Sequence, residues 1–170
     1  MGGGNVAMDV AISAAKFGME AHVVYRRTID KMPARPAEVK EALHLGVIFH
    51  ELRDPFEIEE NKDQLLVHSY KTLVVEGDSQ DRGRVEKTDV IEVLPCDLFV
   101  MAIGSKVRPV QFSGLEIDEK EQIIVNENYE TTLKGVYAAG DGVTGTKTVI
   151  HALSGGKLAA EKILEALDSE

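Results

Sequence analysis

Tryptophan is absent, cysteine occurs once and aromatic residues make up only 5% of the 170 residues. The lone thiol, Cys96, cannot close an internal disulfide, form a CxxC redox pair or hold an iron–sulfur cluster by itself. Its plain reading is a small apolar residue beside a strand. Positive charge is also scarce: 19 Lys and Arg face 29 Asp and Glu, a net charge of -10. That balance argues against nucleic acid or an anionic membrane as a partner, since both reward a basic surface. No apolar run approaches the ~20 residues of a membrane helix, and no signal-peptide pattern opens the chain. The expected compartment is the cytoplasm. His22, His44, His50, His68 and His151 are scattered singly, with no nucleophile, metal cluster or acid–base pair among them. No catalytic side chain and no metal site is therefore expected, and any chemistry must come from a cofactor.

What is present is an α/β pattern. The hydrophobic share is 44% and the charged share 28%, ordinary for a globular fold. Val6, Val10, Ala14 and Phe17 recur at helical spacing, predicting a helix over 5–17 that stops at Gly18. A strand follows over 21–25. Residues 32–36 read as a loop, and Pro36 opens a second helix that stops at Gly46. A further strand is expected over 47–52. Residues 56–60, 65–75 and 84–94 alternate in part between polar turns, as an antiparallel meander does. The unbroken apolar run 98–103 predicts a strand buried on both faces of a parallel sheet. Beyond Gly104 the pattern resets. Short strands are expected over 115–118, 123–125 and 135–141, with a last helix from near Thr148 that carries Val149, Leu153, Gly156, Ala160, Ile163 and Leu167 on one stripe. The expected domains are 1–104 and 105–170.

Two motifs carry chemistry. Gly2-Gly3-Gly4-Asn5-Val6-Ala7 fits G-x-G-x-x-A and runs directly into the first helix. Glycine allows the tight turn and the close approach of a pyrophosphate, which meets the unpaired N–H groups and positive dipole end of that helix. About 20 residues on, an NAD site places a carboxylate on the ribose 2′-hydroxyl. Here that place holds Arg26 and Arg27, with no carboxylate until Asp30. Guanidinium groups pair bidentately with a phosphate, so the pattern favours a 2′-phosphate and hence NADPH; the plain alternative is two solvated arginines.

In the second motif, Ala138-Ala139-Gly140-Asp141 ends a strand and Lys147-Thr148-Val149 opens a helix. Small residues admit a ligand close to the backbone, Asp141 can accept from a polyol hydroxyl, and the helix N-terminus can stabilise charge on a reduced isoalloxazine ring. The plain readings are a turn aspartate and an ordinary threonine cap.

With Gly2 to Asp9, Val24-Tyr25-Arg26-Arg27 followed by Met32-Pro33-Ala34, the 97–104 run and the 135–160 stretch, the sequence resembles the two-dinucleotide-binding-domain flavoproteins. Within them it is most similar to the small (beta) subunit family of NADPH-dependent glutamate synthase. The resemblance implies a Rossmann-like NADPH-binding domain over 1–104, with an antiparallel meander. It implies the C-terminal segment of an FAD-binding domain over 105–170. It places NADPH on Gly2, Gly3, Gly4, Asn5, Val6, Arg26 and Arg27, and FAD on Gly140, Asp141, Lys147, Thr148 and Val149, with Gly104 closing the first domain's last strand. Members pass hydride from NADPH to FAD and electrons onward to a partner.

The chain departs from that pattern in having no iron–sulfur cysteines, no second glycine fingerprint for FAD and no strand ahead of Gly2. It therefore reads as a fragment whose FAD site is incomplete and which is inactive alone, completed by an N-terminal region or a partner subunit. The second reading, from a different class, is a dinucleotide-binding or subunit-interaction module without flavin. A missing first strand leaves a gap in the middle of a doubly wound sheet. The expected filler is the 136–139 segment, folding back or swapped from a second copy into a homodimer.

Overall fold

The computed structural model describes residues 1–75, 83–105 and 114–168. It divides into two compact units, Met1–Ile103 and Gly104–Glu170. In the first, α1 (Asn5–Lys16) follows the glycine turn and ends where Phe17 and Gly18 break the pattern. Strand β1 (His22–Tyr25) pairs in parallel with β2 (Ile48–Glu51), His22 opposite Ile48 and Val24 opposite His50. Between them lies α2 (Pro36–His44), with Pro36 in the first turn, where its missing N–H costs nothing. The core is the face shared by these elements: Met8 and Ala42 are fully buried, and Val23 and Val47 nearly so.

Leu52 takes a left-handed conformation, φ 55°, and turns the chain out of β2 into the meander. Strands β3 (Arg53–Asn61), β4 (Gln64–Val75) and β5 (Arg84–Cys96) form an antiparallel sheet in that order. Bulges near Phe56 and Lys71 bend it, and Val67 and Thr72 of β4 are its most buried side chains.

The apolar run after Cys96 departs from expectation. Residues 97–103 form no named strand, and Leu98, Met101 and Ile103 are 71%, 67% and 61% exposed. The cause lies in the ladder: among the described residues Val100 and Ala102 pair only with Met1, so the segment meets a parallel neighbour at one residue.

In the second unit, α3 (Asp141–Thr144) and α4 (Val149–Leu167) flank the 145–148 loop. The expected short strands reduce to single bridges, Ile117 with Ile123, Val125 with Thr131 and Glu130 with Tyr137. Val136 and Ala138 bond to residues 131 and 129 of the same unit. The inward stripe of α4 is shifted from the expected one: Val149, Leu153 and Leu167 are exposed, while Ala152, Gly155 and Ala159 turn inward. Ala152 and Gly155 let the helix lie close to the 139–140 turn, where a Cβ on Gly155 would stand 3.4 Å from the Gly140 nitrogen. No helix of the described residues is long and apolar enough to cross a membrane.

Candidate functional site

The first candidate site is built where the glycine turn meets the end of β1. Gly2 donates its N–H to the Val24 carbonyl at 3.1 Å. The ring of Tyr25 covers Gly3 so closely that a Cβ there would lie 2.6 Å from it. The Gly3 carbonyl accepts from Ala34 N–H at 3.0 Å, and the Asn5 side-chain oxygen accepts from Arg35 N–H at 3.0 Å. Tyr25 closes the set by donating its hydroxyl to the Lys31 carbonyl. The turn, the strand end and the 31–35 loop are thus one clamped body.

Gly4 differs from its neighbours. Its φ of -92° is open to any residue, and nothing stands within 4 Å of where its Cβ would be. Above it the first turn of α1 leaves donors unpaired, because intrahelical bonds begin only at Ala7 and Met8, both to the Gly4 carbonyl. The N–H groups of Asn5 and Val6 have no partner among the described residues, and the Val6 side chain is 64% exposed. Open space over a glycine backed by two free N–H groups fits an anionic phosphate group.

The two arginines part company. Arg26 is exposed, and its guanidinium makes no hydrogen bond or ion pair among the described residues, while its carbonyl accepts from buried Thr72 at 2.9 Å. Arg27 is half-buried and donates through Nε and Nη2 to the Gly83 carbonyl at 3.2 and 2.9 Å, 56 residues away. The meander therefore braces the arginine turn from below.

In the second unit the predicted residues also converge. Gly140 has φ 71° and packs on Ala152 of α4. The Asp141 carboxylate lies 3.5 Å from Lys147 N–H, and Thr148 starts α4 with its hydroxyl 2.8 Å from His151 Nδ1. Val149 is 84% exposed, and helical bonds resume only at Ala152 N–H to the Thr148 carbonyl, so the first-turn N–H groups are open. Gly104, with φ 98°, is exposed and opens the second unit; among the described residues no close neighbour marks it as a ligand contact.

Sequence reasoning missed the clamp formed by Tyr25, Ala34 and Arg35, although all three lie in stretches it singled out. It also missed the His22–His50 pair, whose nitrogens approach to 2.8 Å with the rings stacked at 5.1 Å. Only the parallel register of β1 and β2 brings those histidines together. Burial, then His22 and Arg53, hold the His50 pKa below its ordinary value, against a smaller opposing pull from Glu92; Glu20 sits on the far nitrogen of His22. A histidine with a depressed folded pKa contributes stability above about pH 6.5, its unfolded value, which fades as pH falls toward the folded value. Urea melts should show lower stability at pH 5.5 than at 7.5, and His50→Gln should flatten that difference. An unchanged pH dependence in the variant refutes the assignment.

The profile of the family described as pyridine nucleotide-disulphide oxidoreductase matches residues 1–156. The NADP(+)-dependent formate dehydrogenase subunit beta of Moorella thermoacetica is 37% identical over 96% of this chain and 24% of its own length. The glutamate synthase [NADPH] small chain of Halomonas elongata is 34% identical over 99% of this chain and 38% of its own length. The chain thus spans well under half of either relative. Among solved structures, T. acidophilum thioredoxin reductase superposes with a TM-score of 0.76 at 21% identity, over 97% of this chain and 50% of that one, a likeness of fold.

Proposed function

The chain belongs to the pyridine nucleotide-disulphide oxidoreductase family, and on that premise we propose that it is the NADPH-binding portion of a flavoprotein oxidoreductase of the glutamate synthase small-subunit kind. The carrying observation is the open first turn of α1 above Gly4, set on the strand that ends in exposed Arg26. In this reading residues 1–104 are the NADPH-binding domain and residues 105–170 the C-terminal segment of an FAD-binding domain. Asn5 and Val6 N–H groups hold the pyrophosphate, Gly2, Gly3 and Gly4 keep the backbone close to it, and Arg26 meets the 2′-phosphate, with Arg27 beside it. In this reading Asp141, which the Lys147 N–H faces, would accept from a hydroxyl of the flavin's ribityl chain, while Thr148 and Val149 would present main-chain donors to its ring; Gly104 serves the junction. When bound, FAD would supply the two-electron redox chemistry that links NADPH to a partner subunit. The protein's own part is to bind, orient and exclude water. The compartment this reading expects is the cytoplasm, with nucleic acid and membrane playing no part. A homodimer swapped through residues 136–139 is the assembly that would complete the chain from a second copy.

Calorimetric titration with NADPH and NADH tests the reading, NADPH binding more tightly; failure of both to bind overturns it. FAD should be retained weakly or not at all by these 170 residues. Among the described residues the one glycine turn feeding a long helix is at Gly2–Gly4, and the 140–149 region offers only the flavin end of a site. Gel filtration after mixing with FAD should therefore return colourless protein and no turnover. Stoichiometric yellow protein would refute that expectation. Nucleotide binding without any flavin in a chain completed by its partner would favour the alternative, a non-catalytic binding module.

A further inference from the structure

Side chains alternate along a strand, so His22 and Val24 of β1 share one face of the sheet with Ile48 and His50 of β2, while Val23 points the other way into the core. On the histidine face a cleft of about 150 Å³ is lined by Val24 and His50 together with Arg53, Ser69 and Glu92 of the meander. His22 Nδ1 stands 2.8 Å from His50 Nε2, with the ring planes within 14° of parallel. The other nitrogen of His22, Nε2, lies 2.9 Å from the Glu20 carboxylate. An ionised carboxylate only accepts, so the neutral His22 ring carries its proton on Nε2 and turns the bare lone pair of Nδ1 toward His50. A carboxylate behind an imidazole is how metal-ligating histidines are held. It fixes the tautomer, aims the ring and makes the free nitrogen more basic.

We propose that His22 and His50 form a two-histidine site for a divalent transition-metal ion of the zinc class, with His22 Nδ1 and His50 Nε2 as its ligands. Two zinc–nitrogen bonds of about 2.0–2.1 Å at a tetrahedral angle set the nitrogens about 3.3 Å apart, so the rings part by only about 0.5 Å to admit the ion. The proton on His50 Nε2 passes to Nδ1 of the same ring as the metal binds, and none is released. Charge favours a cation. Glu20 and Glu92 are negative and Arg53, which donates to Glu92 at 2.7 Å, is positive, leaving one net negative charge around the pair. Among the described residues no group of three or more His, Cys, Asp or Glu converges on a metal position, so water completes the shell. The adjoining cleft holds several waters at about 30 Å³ each. Imidazole ligands select zinc, nickel or copper over magnesium or calcium, which take oxygen.

The test uses the untagged chain without nucleotide, so its outcome is independent of the NADPH reading. Calorimetric titration with zinc chloride should show one ion per chain and magnesium chloride none, and zinc should raise Tm by several degrees. His22→Gln and His50→Gln should each abolish both effects. The Glu20 side chain is 79% exposed, so Glu20→Gln leaves the fold intact, and it should weaken zinc binding about 10- to 100-fold. Nitrogen-15 spectra of the histidine rings should show zinc moving His22 Nδ1 and His50 Nε2 while His44, His68 and His151 stay in place. A folded chain that takes up no zinc overturns the proposal. So does uptake that survives the double substitution of His22 and His50 by Gln, an adventitious ion only, and so does unchanged affinity in Glu20→Gln.

Discussion

Gly2→Ala should destabilise the first unit by about 3 kcal/mol, the largest single-residue effect expected here, whereas Gly4→Ala should leave stability nearly unchanged and weaken NADPH binding about tenfold. A Cβ on Gly2 would overlap the Ala102 carbonyl oxygen, and its φ of 132° is one that L side chains rarely adopt. A main-chain oxygen held in a ladder cannot swing aside, so the first two residues must leave the sheet instead. Three bonds go with them: Gly2 to Val24, Met1 to Val100 and Ala102 to Met1. At about 1 kcal/mol net for each hydrogen bond, their loss sets the size of the effect. Gly4 has neither constraint, and alanine there even reduces the freedom of the unfolded chain. What it adds is a methyl group in the space that a phosphate group would enter. Urea melts and calorimetric titration of both variants read the contrast. An unchanged melt for Gly2→Ala, or wild-type NADPH affinity for Gly4→Ala, would be the contrary result.

That contrast shows what the sequence could and could not convey. The glycine string, the helix after it and the arginines at the end of the next strand were legible because each rests on local rules: glycine at the turn, periodicity over α1, Pro36 opening α2. The meander was legible from its polar turns. The division of labour among the three glycines was not, since it depends on Ala102 and the Tyr25 ring, which only the fold places there. The 97–103 run misled because apolar content reports a wish for burial, while strand formation needs partners on both edges, and Met1 is the one residue paired to it on the described ladder. For α4 the error was one of register. The expected stripe ran through Val149, Leu153 and Leu167, but the packed face carries Ala152 and Gly155, which lie close to the Gly140 turn, and buried Ala159.

The arginines were read as equals, and their separation gives the second large effect. Arg26→Ala should weaken NADPH binding by about 1.5–3 kcal/mol, the range of a hydrogen bond to a charged group, or roughly ten- to hundredfold. NADH affinity should be unaffected, because NADH carries no 2′-phosphate. Stability should not change, since the Arg26 side chain is exposed and the bond from Thr72 to its carbonyl survives truncation. Arg27→Ala should behave in the opposite sense. Its guanidinium donates twice to the Gly83 carbonyl and so ties the end of β1 to the start of β5, an arrangement worth about 1 kcal/mol by the usual net value of such bonds. Part of its charge still reaches the phosphate, so the nucleotide preference should fall less than in Arg26→Ala. The ratio of NADPH to NADH affinity, measured beside a urea midpoint for each variant, separates the two roles. A preference that survives Arg26→Ala intact but disappears in Arg27→Ala would reverse the assignment, and equal affinities in the unaltered chain would remove the 2′-phosphate site altogether.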